Sequence, residues 1–184
     1  MWKSIESYGV IGNGSTCALI NSDGSVDWLC LPFFDSPSVF SAVLDPSAGY
    51  YSISSEEHQN LSLGYVEKTN ILENVFSAYD HDILVTSFMP RGKDLLLRRV
   101  KCRRGSCNVR IRCYPKFNYG RDRPTVDFRE ENFTFYSGNE ALHLKILWEP
   151  EHVKFDDGGV ELTIKLRNGQ SFWTLLSYGK PPRP

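Results

Sequence analysis

The sequence predicts an all-β fold, a sandwich or barrel of many short strands with one or two short helices. Three observations carry that prediction. Apolar and polar residues alternate with a period of two along most of the chain, Gly, Asn, Asp and Ser cluster between the alternating runs, and helical spacing of apolar residues occurs in one short stretch.

In chain order, Gly12-Asn13-Gly14 reads as a tight turn or bulge. A phosphate cradle would need more glycines and a helix start, whereas Ser15 to Ile20 reads as strand. Ser22-Asp23-Gly24 is a second turn, with Asp23 its turn residue. Val26, Trp28 and Cys30 alternate with Asp27, Leu29 and Leu31. Apart from Asp27 this strand is apolar on both faces, which predicts a central position in its sheet. Ser36 to Leu44 offers an N-cap serine, a proline at the first helical position and apolar residues at helical spacing, the pattern of a two-turn helix. Val109, Ile111 and Cys113 alternate with Arg110 and Arg112. Phe133 and Phe135 lead through a Ser137-Gly138-Asn139 turn to an alternating set of Leu142, Leu144, Ile146 and Trp148. Asp156-Asp157-Gly158-Gly159 reads as a loop. Val160, Leu162, Ile164 and Leu166 alternate with Glu161, Thr163, Lys165 and Arg167, a strand with one wet face. Asn168-Gly169 then predicts a type I′ hairpin, with Ser171 to Tyr178 as the return strand. Residues 1–178 form one domain on this reading, and the proline-rich 179–184 begins a linker.

Composition narrows the function. A chain of 184 residues can bury a substantial core, and a net charge of −1 argues against a nucleic-acid or membrane-surface binder. The start lacks an apolar run of signal-peptide length, and no window is long enough to cross a bilayer. The five cysteines, 17, 30, 102, 107 and 113, are odd in number and form no Cys-x-x-Cys pair. They read as buried free thiols of a cytoplasmic protein rather than a disulfide framework or zinc site. Cys102 and Cys107 flank Arg103 to Ser106 and can face each other across a hairpin. The segment Arg91 to Arg123 holds twelve of the 21 lysines and arginines and two acids, leaving the remainder acidic. A nucleic-acid face is conceivable there, but the acidic remainder favours Arg110 and Arg112 meeting acids from elsewhere in the fold.

Catalytic patterns are missing. Glycoside hydrolysis needs two carboxyl groups on opposite sides of a sugar bond. None of Asp23, Asp27, Asp35, Asp45, Glu130, Glu131, Asp156 and Asp157 stands in a pattern that marks such a pair. His58, His81, His143 and His152 give no metal spacing, there is no Gly-x-Ser-x-Gly, and no metal or cofactor is expected. Two mixed aromatic and polar patches remain: Trp28, Phe33, Phe34 and Asp35 before the predicted helix, and Asn118-Tyr119-Gly120-Arg121. Each suits a sugar or a neighbouring domain, and each suits core packing with a structural ion pair as well.

Several stretches together resemble one known family. They are Ile11 to Gly14, Ser22 to Pro32, Phe34 to Phe40, Thr69 to Glu73, Val85 to Pro90, Arg98 to Val100 and Pro115 to Arg121, in order across roughly the whole chain. The most specific are Asp27-Trp28-Leu29-Cys30-Leu31-Pro32 and Phe34-Asp35-Ser36-Pro37. The chain is similar to the N-terminal domain of glycoside hydrolase family 15, the prokaryotic glucoamylases, glucodextranases and trehalases. The resemblance implies a large antiparallel β-sandwich of the supersandwich kind. It also implies a partner, an (α/α)6 catalytic domain in cis or as a separate chain that carries both catalytic glutamates, with α-glucan or trehalose as substrate. No glutamate here inherits a catalytic role, and Trp28, Phe33, Phe34, Asp35, Tyr119 and Arg121 become candidates for substrate or interdomain contact. Phe33 stands where the family has arginine, and Asn118 where it has aspartate. A free-standing carbohydrate-binding module is the alternative reading.

Overall fold

The computed structural model describes residues 3–129 and 131–181; the last residues of the predicted linker, Pro182 to Pro184, lie outside them. Among the described residues, strands follow in chain order as β1 (Tyr8–Gly12), β2 (Cys17–Asn21), β3 (Ser25–Cys30), β4 (Ser38–Phe40), β5 (Tyr50–Ser55), β6 (Asn60–Tyr65), β7 (Leu72–Ser77) and β8 (Asp82–Phe88). They continue as β9 (Leu95–Arg104), β10 (Ser106–Tyr114), β11 (Thr125–Arg129), β12 (Asn132–Ser137), β13 (Glu140–Ile146), β14 (His152–Asp156), β15 (Gly159–Arg167) and β16 (Ser171–Tyr178). One helical turn, α1 (Phe117–Gly120), and a 3₁₀ turn at Ile5–Ser7 complete the set.

The strands form two antiparallel sheets of eight strands each. The first runs β1-β2-β3-β5-β10-β15-β14, with β4 added beside β3; the second runs β11-β12-β13-β16-β9-β8-β7-β6. Period-two alternation explains the layering. Tyr51, Ile53, Val109, Ile111, Leu162 and Ile164 from the first sheet join Phe76, Val85, Val100, Phe135, Leu144 and Phe172 from the second in one buried cluster. Each such side chain contributes about 1.5–3 kcal/mol by leaving water. The predicted alternations at 109–113 and 160–166 are found, and β3 lies inside its sheet as its two apolar faces required.

Three local expectations are corrected. Ser36 to Leu44 is not a helix. Ser38–Phe40 pairs with β3 as β4, its three residues all buried, and turns follow it. An isolated two-turn helix is marginal, and here ladder bonds and burial of consecutive Val39 and Phe40 win. The Ser36 hydroxyl, expected as a cap, accepts the Phe33 N–H at 3.1 Å in a turn instead. Asn168-Gly169 does not make a hairpin, because β15 and β16 belong to different sheets. The turn is an arch between layers. Its Asn168 and Gly169 N–H groups donate to the carbonyls of Gly105 (2.7 Å) and Cys102 (2.9 Å) in the neighbouring β9–β10 arch. Cys102 and Cys107 therefore lie on an arch rather than a hairpin, buried as free thiols. Finally, β13 stops at Ile146, and Trp148 lies in the following loop, packed on Phe172 at 6.4 Å.

Strand directions bring one set of loops together. β3 and β10 are both antiparallel to β5, and β9 turns directly into β10, so β16, antiparallel to β9, ends beside them. The 31–37 loop, α1 and the chain's exit at 179–181 thus share one end of the sandwich.

Arg98 on β9 is completely buried between the sheets. Its Nε donates to the Ser87 hydroxyl (3.1 Å) and Nη2 to the Gly24 carbonyl (2.8 Å), and its guanidinium lies 5.1 Å from the Tyr51 ring centre. Arg98→Ala is expected to cost about 3–5 kcal/mol in urea unfolding, since it opens a cavity and strips two buried polar groups of their partner. A loss below about 1 kcal/mol would mean that the arginine does not hold the layers together.

Candidate functional site

The sequence-predicted contact residues fall into two groups at the shared end. Phe33 and Phe34 are 56% and 59% exposed in the loop after β3, with Asp35 exposed beside them. The Phe34 N–H donates to the Ser15 carbonyl at 3.0 Å, which ties this loop to the β1–β2 turn. Tyr119 is 46% exposed on α1, and Arg121 follows it. The α1 turn packs against β4 and is fastened by Lys116 N–H donating to Val39 O at 3.0 Å. Both groups are therefore anchored on β4, although no hydrogen bond or ring contact joins them among the described residues. Trp28 stands apart: it is half-buried within β3, opposite Leu19.

The α1 backbone is unusual. Asn118 and Tyr119 have φ of 52° and 58°, and Gly120 follows at 83°. Left-handed backbone costs a non-glycine residue about 1–2 kcal/mol. Gly120 is required by space as well, since a Cβ there would meet the Ala48 side chain at 2.7 Å. This strained turn holds Tyr119 outward.

A polar cleft of about 330 Å³ opens on the outer face of the first sheet, and sequence reasoning missed it. Its anchor is Asp27, 1% exposed, the polar exception in the apolar strand. The Asp27 carboxylate accepts Lys3 Nζ at 2.8 Å, the Tyr8 hydroxyl at 2.7 Å and the Ser25 hydroxyl. Lys3 also meets Asp23 at 2.8 Å. Burial works to lower the Lys3 pKa, but its bonds to Asp23 and Asp27 prevail and raise it. Burial and the bond to Asp27 push the Tyr8 hydroxyl well up. One ammonium bridges the two carboxylates, in the place a glycosidic oxygen would need between an acid and a base, so the pair is an ion cluster rather than a hydrolytic couple.

A second polar group imitates catalytic geometry. Ser55 Oγ lies 2.8 Å from His81 Nε2, and His81 Nδ1 lies 2.8 Å from Asp80. Yet the Ser55 hydroxyl donates to the Glu57 carbonyl at 2.7 Å, and His81 Nε2 reaches the same carbonyl at 2.9 Å. The serine proton is thus committed to that carbonyl rather than to the imidazole, and the three side chains form a structural hydrogen-bond cluster. The thiols are equally inert. Burial pushes Cys30 up to about 11 and Cys113 well above its usual range, and burial with the adjacent Cys102 takes Cys107 to about 12. Among the described residues no cluster of His, Cys, Asp or Glu could hold a metal ion, and no helix is long and apolar enough to cross a membrane.

Part of the basic segment is engaged within the fold. Arg110 pairs with Glu56 at 2.6 Å, Arg112 with Glu161 at 2.7 Å and Arg104 with Asp82 at 3.4 Å, while Arg98 is in the core. The acids that meet Arg110 and Arg112 come from β15 and from the loop after β5, as expected.

Comparison with known proteins places this architecture. Residues 2–156 match the family model described as trehalase-like, N-terminal. The chain is 28% identical to the trehalase of Thermoplasma volcanium, covering 97% of this chain and 30% of that protein. It is 36% identical to trehalase 1 of Sulfolobus acidocaldarius over 76% of this chain and 25% of that protein. The chain thus spans about 30% of the length of curated trehalases such as that of Thermoplasma volcanium. A bacterial glucoamylase complexed with acarbose shares the fold, with a TM-score of 0.63 at 10% identity over 97% of this chain and 33% of that one.

The ion pairs make stability depend on pH. Burial works to raise the Glu56 pKa, but Arg110 and Asn108 outweigh it and lower it; His81 lowers Asp80, and Arg104 lowers Asp82. His143 is lowered by burial, partly offset by the Gly179 backbone. In every case the unfolded chain takes up the proton first as pH falls, so each contribution is full above the unfolded pKa and is lost below it. The melting temperature should therefore decline below about pH 6.5 as His143 titrates, and again below about pH 4 as the carboxylates do. His143→Gln should remove the first decline. A melting temperature that rises on acidification would contradict these assignments.

Proposed function

This chain belongs to the family of trehalase-like N-terminal domains, and on that premise we propose that it is the non-catalytic sandwich of an α-glucoside hydrolase, with trehalose as the substrate of the whole protein. The observation that carries this reading is the family match across 2–156 in a chain that spans 30% of a related trehalase. Catalysis belongs on this reading to two carboxyl groups of an (α/α)6 domain, in cis or as a separate chain. The sandwich packs on that domain and helps to shape its active site.

Geometry supports one docking end. Phe33, Phe34 and Tyr119 expose aromatic faces there, Asp35 and Arg121 supply charge at the margin, and any continuation of the chain past Pro181 leaves from the same end. Exposed aromatics held on rigid turns are the usual anchors of an interface. Phe33, in place of the family's arginine, makes this margin more apolar than the family pattern.

Two measurements test the proposal. The purified chain should release no glucose from trehalose; release that is abolished by a substitution within the chain would overturn it. Fused in place of the corresponding segment of Sulfolobus acidocaldarius trehalase 1, the chain should support hydrolysis. Phe34→Ala with Tyr119→Ala should then lower activity about tenfold or more without changing the sandwich's melting temperature. Unchanged activity in that double variant would remove the docking end from the proposal.

A further inference from the structure

β5 presents its side chains alternately, with Tyr51, Ile53 and Ser55 inward and Tyr50, Ser52 and Ser54 outward into the cleft. Register sets these in polar rows across the sheet: Ser25, Ser52 and Arg112 stand abreast, as do Ser54 and Arg110. Among the described residues, the hydroxyls of Tyr50, Ser52 and Ser54 make no hydrogen bond, although all three side chains are half-buried. Above them the 42–46 turn forms a wall, fixed where Val43 N–H donates to Asp27 O at 3.0 Å. The cleft floor thus presents three hydroxyls that no protein group among the described residues engages.

From this geometry we infer that the cleft binds a small neutral polyol, a mono- or disaccharide, on the outer face of the first sheet. Its charged lining is already paired: Lys3 bridges Asp23 and Asp27, and Arg112 meets Glu161 just outside the cleft. Both cations are engaged by carboxylates, Arg112 by Glu161 at 2.7 Å, so an anion finds no free positive partner. What the floor offers is three hydroxyls that donate and accept, beside the half-buried rings of Tyr8 and Tyr50. That combination matches the alternating hydroxyl edges and apolar faces of a pyranose. A volume of about 330 Å³ lies at the lower end of small-molecule sites, which favours a small sugar over a polymer strand. The inference goes beyond the domain's proposed docking role and needs no hydrolysis to be tested.

The test is a two-dimensional amide NMR titration of the purified chain with trehalose, maltose and, separately, sodium sulfate. One of the sugars should give saturable shifts centred on Ser25, Ser52, Ser54 and the 42–46 turn. The triple variant Tyr50→Phe, Ser52→Ala, Ser54→Ala should bind that sugar about tenfold more weakly with an unchanged melting temperature. Should the triple variant prove unstable, Tyr50→Phe alone, which deletes one hydroxyl, should weaken binding by a smaller factor. Absence of saturable sugar shifts, shifts centred elsewhere, such as around Trp148, or saturation by sulfate alone would each overturn the inference.

Discussion

A guanidinium buried between two sheets is the constraint on which the rest of this structure depends. Burial works against the charge of Arg98 and lowers its pKa, and among the described residues no carboxylate bonds to it. Its compensation is assembled from both layers. Ser87 on β8 and the Gly24 carbonyl accept from it, the Tyr51 ring lies over it, and the Tyr51 hydroxyl meets Thr174 on β16 at 2.6 Å. Unpaired buried charge is among the costliest defects a fold can carry, so these contacts from both layers favour one alignment, with Nη1 alone left without a partner among the described residues. The β2–β3 turn is fixed by the same contact. Gly24, at φ of 81°, has no room for a side chain, since a Cβ would fall 2.1 Å from Ile53 O. Its neighbours Asp23 and Ser25 are thereby placed beside Asp27 and Lys3, and the outer cleft inherits its geometry from a charge in the core.

Much of the fold was legible because period-two burial is a local property. The alternation at Val109 to Cys113 and at Val160 to Leu166 names the inward face directly, and the Ser137-Gly138-Asn139 turn joins β12 to β13 as read. What failed was the choice of partner. A two-residue Asn-Gly turn states that the chain reverses, not that both arms stay in one sheet, so 168–169 was read as a hairpin when it is an arch. In the same way Ser36-Pro37 has the chemistry of a helix start, but strand β3 offers Ser38–Phe40 ladder bonds and burial that an isolated short helix cannot match. Arg98 shares the inward phase of Leu96, Val100 and Cys102, but a charged residue in a segment rich in arginine is ordinarily read as exposed.

The candidate site divides along the same line. Phe33, Phe34, Asp35, Tyr119 and Arg121 were legible as mixed patches, and strand direction gathers them at one end, while Trp28 lies along β3 rather than at its tip. The left-handed turn that holds Tyr119 out was only partly legible, because Asn118 and Gly120 tolerate positive φ but Tyr119 between them gives no sign of it. The cleft was hidden because its residues come from the N-terminal segment, β1, β3, β5 and β10, which only pairing register brings together. The one available sign was Asp27, an acid in a strand otherwise apolar on both faces.

On the proposed reading, this sandwich presents its loop-rich end to a catalytic domain. Hydrogen–deuterium exchange tests it most directly, comparing the isolated chain with the chain joined to the catalytic portion of a related trehalase. Added protection confined to residues 31–37 and 115–124 is expected. Protection that instead falls on the opposite end, around 104–106 and 168–170, or no difference between the two states, would contradict it.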